Sequence, residues 1–154
     1  MSEPAQLTIE KILVPVDFGE PSLHALAYAK GLAQKFGSSL HLLHVIPNPY
    51  LQSAYIPLVA DVPVIPSGFV DELAEDARRR FEQVLPGTDR EAFRASTSLK
   101  VGDARPVILE HAAAENVDLI VMGTHGRKGA AHLFLGSVAE RVVRGAPCPV
   151  LTVR

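Results

Sequence analysis

Five short strand-like runs, four apolar and one alternating, take turns with stretches of helical period along this chain, and that order restricts the fold more than any other feature. The runs are Ile12 to Val16, Leu40 to Ile46, Phe93 to Val101, Val117 to Met122 and Val150 to Val153. Between them lie the helical stretches Glu20 to Phe36, Phe69 to Leu85, Asp103 to Asn116 and Ser137 to Gly145. A β-branched run with no polar face predicts a strand buried on both sides. Strands that take turns with helices predict a parallel, doubly wound α/β sheet. The 154 residues suit a single domain, large enough to bury roughly 70% of its unfolded surface. The core is expected over about residues 11–153.

Local signals refine the outline. Pro21 is tolerated in a first helical turn, and Gly37 ends the helix. Leu23, Leu26, Ala27, Ala33 and Phe36 are expected on its buried face. Residues 47–66 are Pro-rich without helical period and predict a long loop. In the next helix Val70, Leu73, Ala77, Phe81 and Val84 face inward, and Pro86-Gly87 stops it. Arg78, Arg79 and Arg80 sit among Glu75, Asp76 and Glu82, which favours a solvated face over a phosphate patch. Phe93 to Val101 alternates polar and apolar residues, as an edge strand does.

Charge and composition exclude several functions. A net charge of −2 gives no footprint for nucleic acid or an anionic membrane. No apolar run approaches the ~20 residues of a spanning helix. The first residues lack the regions of a signal peptide. Cys148 is the single cysteine, which favours a reducing cytoplasm.

Chemistry concentrates in the last third. Gly123-Thr-His-Gly126 follows the fourth run, and after nine residues Gly136-Ser137 opens the last helical stretch. Glycines permit positive φ and close approach of a ligand to the backbone. A helix start offers unpaired N–H groups and a partial positive charge. A strand, glycine loop and helix in that order predict a nucleotide-phosphate site. Arg127 and Lys128 either balance polyphosphate charge or are plain loop charges. Ser137 and Glu140 fit a Ser-x-x-Glu capping box, which leaves the N–H groups available. Ligands on such sheets bind where strand order reverses, so Asp17 and Gly123 are expected together. Asp17 either contacts ligand or caps the following helix.

These residues carry a resemblance. GTHGRKGAAHLFLGS is similar to the Gly-x2-Gly-x9-Gly-Ser/Thr pattern of the ATP-binding class of the universal stress protein family. KILVPVDFGEPSLHAL resembles that family's first strand, aspartate and helix, and SVAERVVRGAPCPVLTV its last helix and strand. The similarity runs from about Lys11 to Val153 in one order. It implies a Rossmann-like sheet of order 3-2-1-4-5 and an adenine nucleotide, ATP with Mg²⁺. By position it implies Asp17 near the adenosine and Val45 bonding adenine through its backbone. Gly123 and Gly126 fall at the ribose and phosphate turn, with Arg127 beside them as a further candidate nucleotide contact, and Gly136, Ser137 and Val138 fall at the phosphate-binding helix start. Gly19 stands where relatives often have Ser, which weakens any role for a hydroxyl beside Asp17, although Ser22 is present. The strand order puts Pro149 to Val153 at a sheet edge, where an antiparallel homodimer is expected.

The resemblance implies a cytoplasmic, nucleotide-dependent dimeric module for stress response and signalling. The alternatives are a slow ATPase on the same fold and a nucleotide-free structural dimer. A phospho-acceptor receiver domain needs an acidic cluster for Mg²⁺, and the first run ends in one Asp. Neither a Gly-x-Gly-x-x-Gly after the first run nor a Gly-x4-Gly-Lys-Ser/Thr loop occurs. The six histidines are scattered; His41 and His44 point to opposite faces of one strand and make no paired metal site. His125 and His132 flank the glycine loop. Cys148, between two prolines, reads as a small packed hydrophobe rather than a nucleophile.

Overall fold

A computed structural model describes residues 7–48, 66–125 and 135–154. Most of the expected Pro-rich loop 47–66 and the segment holding Gly126, Arg127, Lys128 and His132 therefore lie outside the described residues. The strands are β1 (Lys11–Pro15), β2 (Ser39–Pro47), β3 (Ser96–Gly102), β4 (Leu119–Gly123) and β5 (Val150–Val153). The helices are α1 (Glu20–Phe36), α2 (Phe69–Val84), α3 (Gly87–Ala92), α4 (Ala104–Ala114) and α5 (Ser137–Gly145).

The five strands form one parallel sheet of order β3-β2-β1-β4-β5. β1 is central because Ile12, Leu13 and Val14 have no polar side chain to present to water, and all three are fully buried. Successive residues then serve opposite faces. Ile12 and Val14 pack with Ala25, Ala29 and Ala33 of α1 and with Phe81 of α2. Leu13 packs with Ile108 and Ala112 of α4 and with Val142 of α5. Three layers result, with α1 and α2 on one face and α4 and α5 on the other.

Helix ends follow local chemistry. Gly19 is the N-cap of α1, Pro21 lies in its first turn, and Gly37 closes it in the left-handed region at φ 69°. Asp103 caps α4 by accepting from the Arg105 amide at 3.1 Å. The Arg105 guanidinium grips the same carboxylate and holds its pKa below the ordinary value.

Three sequence expectations change or gain detail. The buried face of α1 is Ser22, Ala25, Leu26, Ala29 and Ala33, whereas Ala27 and Phe36 are exposed. Close packing on β1 and β4 selects small residues, so apolarity alone misplaces the face. Pro86-Gly87 does stop α2, but the chain turns at once into α3, which the stop signal hid. The Lys30 ammonium holds this connection by bonding Asp89 at 2.6 Å and the Val84 carbonyl at 3.2 Å. The acid-and-arginine face of α2 is as expected, with Arg79 and Arg80 both paired to Asp76.

Candidate functional site

A cavity of about 360 Å³ opens above the carboxyl ends of β1, β2 and β4. β1 and β4 are neighbours, but their onward helices α1 and α5 pack on opposite faces of the sheet. The chain therefore diverges there and leaves a crevice. Val16, Asp17 and Ser22 form one wall, Leu43 and Val45 the floor, Ala104 and Ile108 of α4 a second wall. Met122 to His125 and Gly136 to Ala139 complete it. The apolar part lies between β2 and α4, and the polar part lies at the start of α5.

Asp17 lines the cavity and braces the turn into α1, although the N-cap itself is Gly19. Its Oδ1 accepts from the Gly19 amide and from the Ser22 hydroxyl, each at 2.8 Å. The carboxylate thus organises the entry to α1 while lining the cavity. The hydroxyl beside Asp17 comes from Ser22, buried in the first turn of α1. A hydroxyl therefore stands beside Asp17 despite Gly19, and it is that of Ser22.

Between them, Phe18 takes φ 62°, a costly conformation for a bulky residue. Its ring is held by Phe81 at 5.3 Å and His44 at 4.8 Å, with the Arg80 guanidinium 5.8 Å over its face. Nothing in the sequence marks Phe18, because the strain is imposed by partners distant in the chain. His44 in turn sets its Nδ1 2.7 Å from the Val16 carbonyl, fixing β2 to the end of β1.

Val45 reaches the cavity through strand register. Pro15, the last residue of β1, pairs with Leu43, and the Val16 amide donates to the Leu43 carbonyl at 2.8 Å. Backbone groups two residues apart point the same way in a parallel ladder. The amide and carbonyl of Val45 are therefore directed past the end of β1, into the crevice.

The two glycines that frame the loop sit in different surroundings, and neither takes positive φ. A Cβ on Gly123 would stand 2.9 Å from the backbone carbon and oxygen of Pro21. Gly123 is thus where α1 closes on β4. Gly136 has φ −68° and ψ 160° and is the N-cap of α5. Ser137 is the first helical residue and makes no capping bond, so the expected Ser137–Glu140 box is not formed. Glu140 instead pairs with Arg144 at 3.0 Å. The amides of Ser137, Val138 and Ala139 open the helix toward the cavity, with the positive end of its dipole. The Gly136 amide donates to the Thr124 carbonyl, and the Thr124 amide to the Val153 carbonyl. These bonds tie loop, helix start and β5 together.

Of the expected site residues, Asp17, Val45, Gly123, Gly136, Ser137 and Val138 line this one cavity. Gly126 and Arg127 lie outside the described residues. His125 also lines it, its Nδ1 3.0 Å from the Thr124 hydroxyl. Cys148 is half-buried, and burial pushes its thiol pKa up, which suits a packed side chain.

Residues 8–154 match the family model described as the universal stress protein family. This chain belongs to that family. Universal stress protein MJ0531 of Methanocaldococcus jannaschii is 31% identical over 94% of this chain and 82% of its own length. The solved structure of MJ0577 from the same organism superposes with a TM-score of 0.80 at 29% identity and covers 96% of both chains. A universal stress protein solved in complex with cAMP shares the fold at a TM-score of 0.60 and 22% identity, over 96% of this chain and 98% of its own. The family's sheet order is the one expected from the resemblance and found here. Among the described residues no helix is long and apolar enough to cross a membrane.

Proposed function

We propose that this universal stress protein binds ATP and works as a nucleotide-dependent dimeric module in stress response and signalling, in the cytoplasm. One observation carries the reading. The backbone edge of Val45 and the amino end of α5 face the same cavity from opposite sides, with an apolar floor between them. Adenine suits the apolar side, where Val45 offers a backbone donor and acceptor. Phosphate suits the helix start, where N–H groups converge. The Gly-x2-Gly-x9-Gly-Ser spacing of the family's ATP-binding class supports the triphosphate.

Mg²⁺ would travel with the phosphates. No cluster of three or more His, Cys, Asp or Glu side chains occurs among the described residues. Phosphate oxygens and water would therefore supply its ligands, as Mg²⁺ commonly accepts.

The lining favours retention over turnover. Hydrolysis needs a group that orients water and neutralises charge at the γ-phosphate. Asp17 is the one carboxylate lining the cavity among the described residues, and it already organises the α1 entry. A slow ATPase is the competing reading, and a nucleotide-free structural dimer the third.

The dimer is proposed through β5. This strand lies at the sheet edge, and Leu151 remains 38% exposed on it. An apolar edge invites antiparallel pairing with a second copy.

Native mass spectrometry of freshly purified protein tests both parts together. A dimer that releases an adenine nucleotide on denaturation is expected. A monomer with no nucleotide, and none taken up from added Mg²⁺ and ATP, would end this reading.

A further inference from the structure

Below the nucleotide cavity, toward the amino ends of the strands, two histidines 70 residues apart meet. The Nε2 atoms of His41 on β2 and His111 on α4 are 2.8 Å apart. Their ring centroids are 4.9 Å apart. Nitrogens that much closer than the centroids mean that the imidazoles point nitrogen at nitrogen rather than lying face to face. On the far side, His41 Nδ1 is 2.6 Å from the Ser96 hydroxyl on β3. One proton between the two Nε2 atoms makes this contact a hydrogen bond, which survives protonation of one ring; with both rings imidazolium each Nε2 carries a proton and the contact becomes a clash of like charges. A shared metal ion fits less well. Two tetrahedral ligands at zinc–nitrogen distances of about 2.0–2.1 Å stand roughly 3.3 Å apart. No third ligand completes such a group among the described residues.

The pair joins the two elements that enclose the apolar half of the cavity. His41 is two residues before Leu43 and four before Val45, which form the floor. His111 is three residues after Ile108 and seven after Ala104, which form the α4 wall. We propose that the His41–His111 hydrogen bond is a proton-sensitive rivet between β2 and α4, which releases in acid and thereby weakens nucleotide binding. The nucleotide half of this proposal rests on the ATP reading above.

The surroundings penalise charged rings in the closed pair, so protonation in acid favours its separation. Burial, then the neighbouring His111, hold His41 below the ordinary histidine pKa. Burial foremost holds His111 down as well. Lys11 of β1 opposes protonation of both rings and Lys100 of β3 that of His111, while Glu115 at the end of α4 favours it for both. Glu115 is itself engaged by Lys11 at 3.6 Å. Both depressed pKa values belong to the folded state. The stability they confer is therefore complete above the unfolded value of 6.5 and is lost as pH falls below it, through the folded values.

The test compares wild type with a His41→Gln, His111→Gln double variant, which keeps polar side chains but cannot titrate. ATP affinity is measured with Mg²⁺ from about pH 8 to about pH 5. The comparison at each pH cancels the protonation of ATP itself. Wild type should lose roughly tenfold more affinity than the variant over that range. Amide hydrogen exchange on nucleotide-free wild type, needing no variant, should show protection in α4 falling over the same interval. Parallel affinity profiles would overturn the coupling. Unchanged α4 protection would overturn the rivet. Absence of ATP binding at every pH would instead remove the nucleotide reading and the coupling with it, and the exchange result would still decide the rivet.

Discussion

The two ends of the sheet handle their polar groups in opposite ways. At the amino end, side chains reach across to satisfy the backbone of neighbouring elements. Asp118 Oδ2 accepts from the amides of Glu10 and Lys11, each at 2.9 Å. The Ser38 and Ser39 hydroxyls donate to the carbonyls of Ile9 and Glu10. The Lys11 ammonium donates to the Glu115 carbonyl at 2.7 Å. At the carboxyl end, the backbone of Val45 and the first amides of α5 are aimed at a cavity instead. Internal partners stabilise a fold, whereas groups turned toward a crevice are available to a ligand. The amino end is satisfied internally, and the carboxyl end, besides bonds such as Asp17 to the Gly19 amide, leaves backbone donors facing the crevice.

The sharpest way to break this division is at Gly123, where the two functions meet. Gly123→Val forces a side chain against the Pro21 backbone, which has no flexible end to yield. Such overpacking costs about 1–3 kcal/mol of stability. Because Pro21 leads directly to Ser22, the Asp17 corner moves with it. Chemical denaturation should show the stability loss, and calorimetry should show ATP binding abolished in the same variant. Wild-type affinity in a destabilised Gly123→Val protein would mean that this corner does not shape the site.

A smaller effect, confined to the other end, is expected from Asp118→Ala. It removes the acceptor of two amide bonds, and bonds to charged groups are worth about 1.5–3 kcal/mol each. Partial exposure of the carboxylate reduces this to a total of about 1–2 kcal/mol. Urea unfolding should register the change, with ATP affinity in the folded protein unaltered. A parallel loss of affinity would show that the two ends are not separable.

The scaffold is legible in the sequence because its signals are local. The unbroken Ile12-Leu13-Val14 marks a strand covered on both faces, and Gly37 marks a helix end in the left-handed region. The cavity could be anticipated from the reversal of strand order, which brings Asp17 and Gly123 together. What the sequence hid depends on contacts between distant residues. The alanine face of α1 is decided by how closely β1 and β4 approach it, and Phe18 is held in its conformation by Phe81 and His44. The His41–His111 bond joins a strand to a helix and has no spacing to betray it. Ser137 shows a subtler limit. Its pattern announced a helix start correctly, but the chain uses Gly136 as the cap and leaves the hydroxyl one position inside the helix.

That displacement bears on how the proposed nucleotide's phosphate would be held. The Ser137 hydroxyl and the amides beside it line the cavity and in the proposed function would donate to phosphate. Calorimetric titration of Mg²⁺ and ATP into wild type, Ser137→Ala and Gly136→Val therefore decides whether the start of α5 is the phosphate site. Gly136 has ordinary negative φ, so valine there should fold and act on the approach of ligand to the helix start. Ser137→Ala removes a bond to a charged group worth about 1.5–3 kcal/mol. Affinity should fall roughly 10- to 150-fold in Ser137→Ala and by a comparable or larger factor in Gly136→Val, with thermal stability retained in both. Unchanged affinity in both folded variants would remove the start of α5 as the phosphate site, and with it the division between a securing end and a binding end.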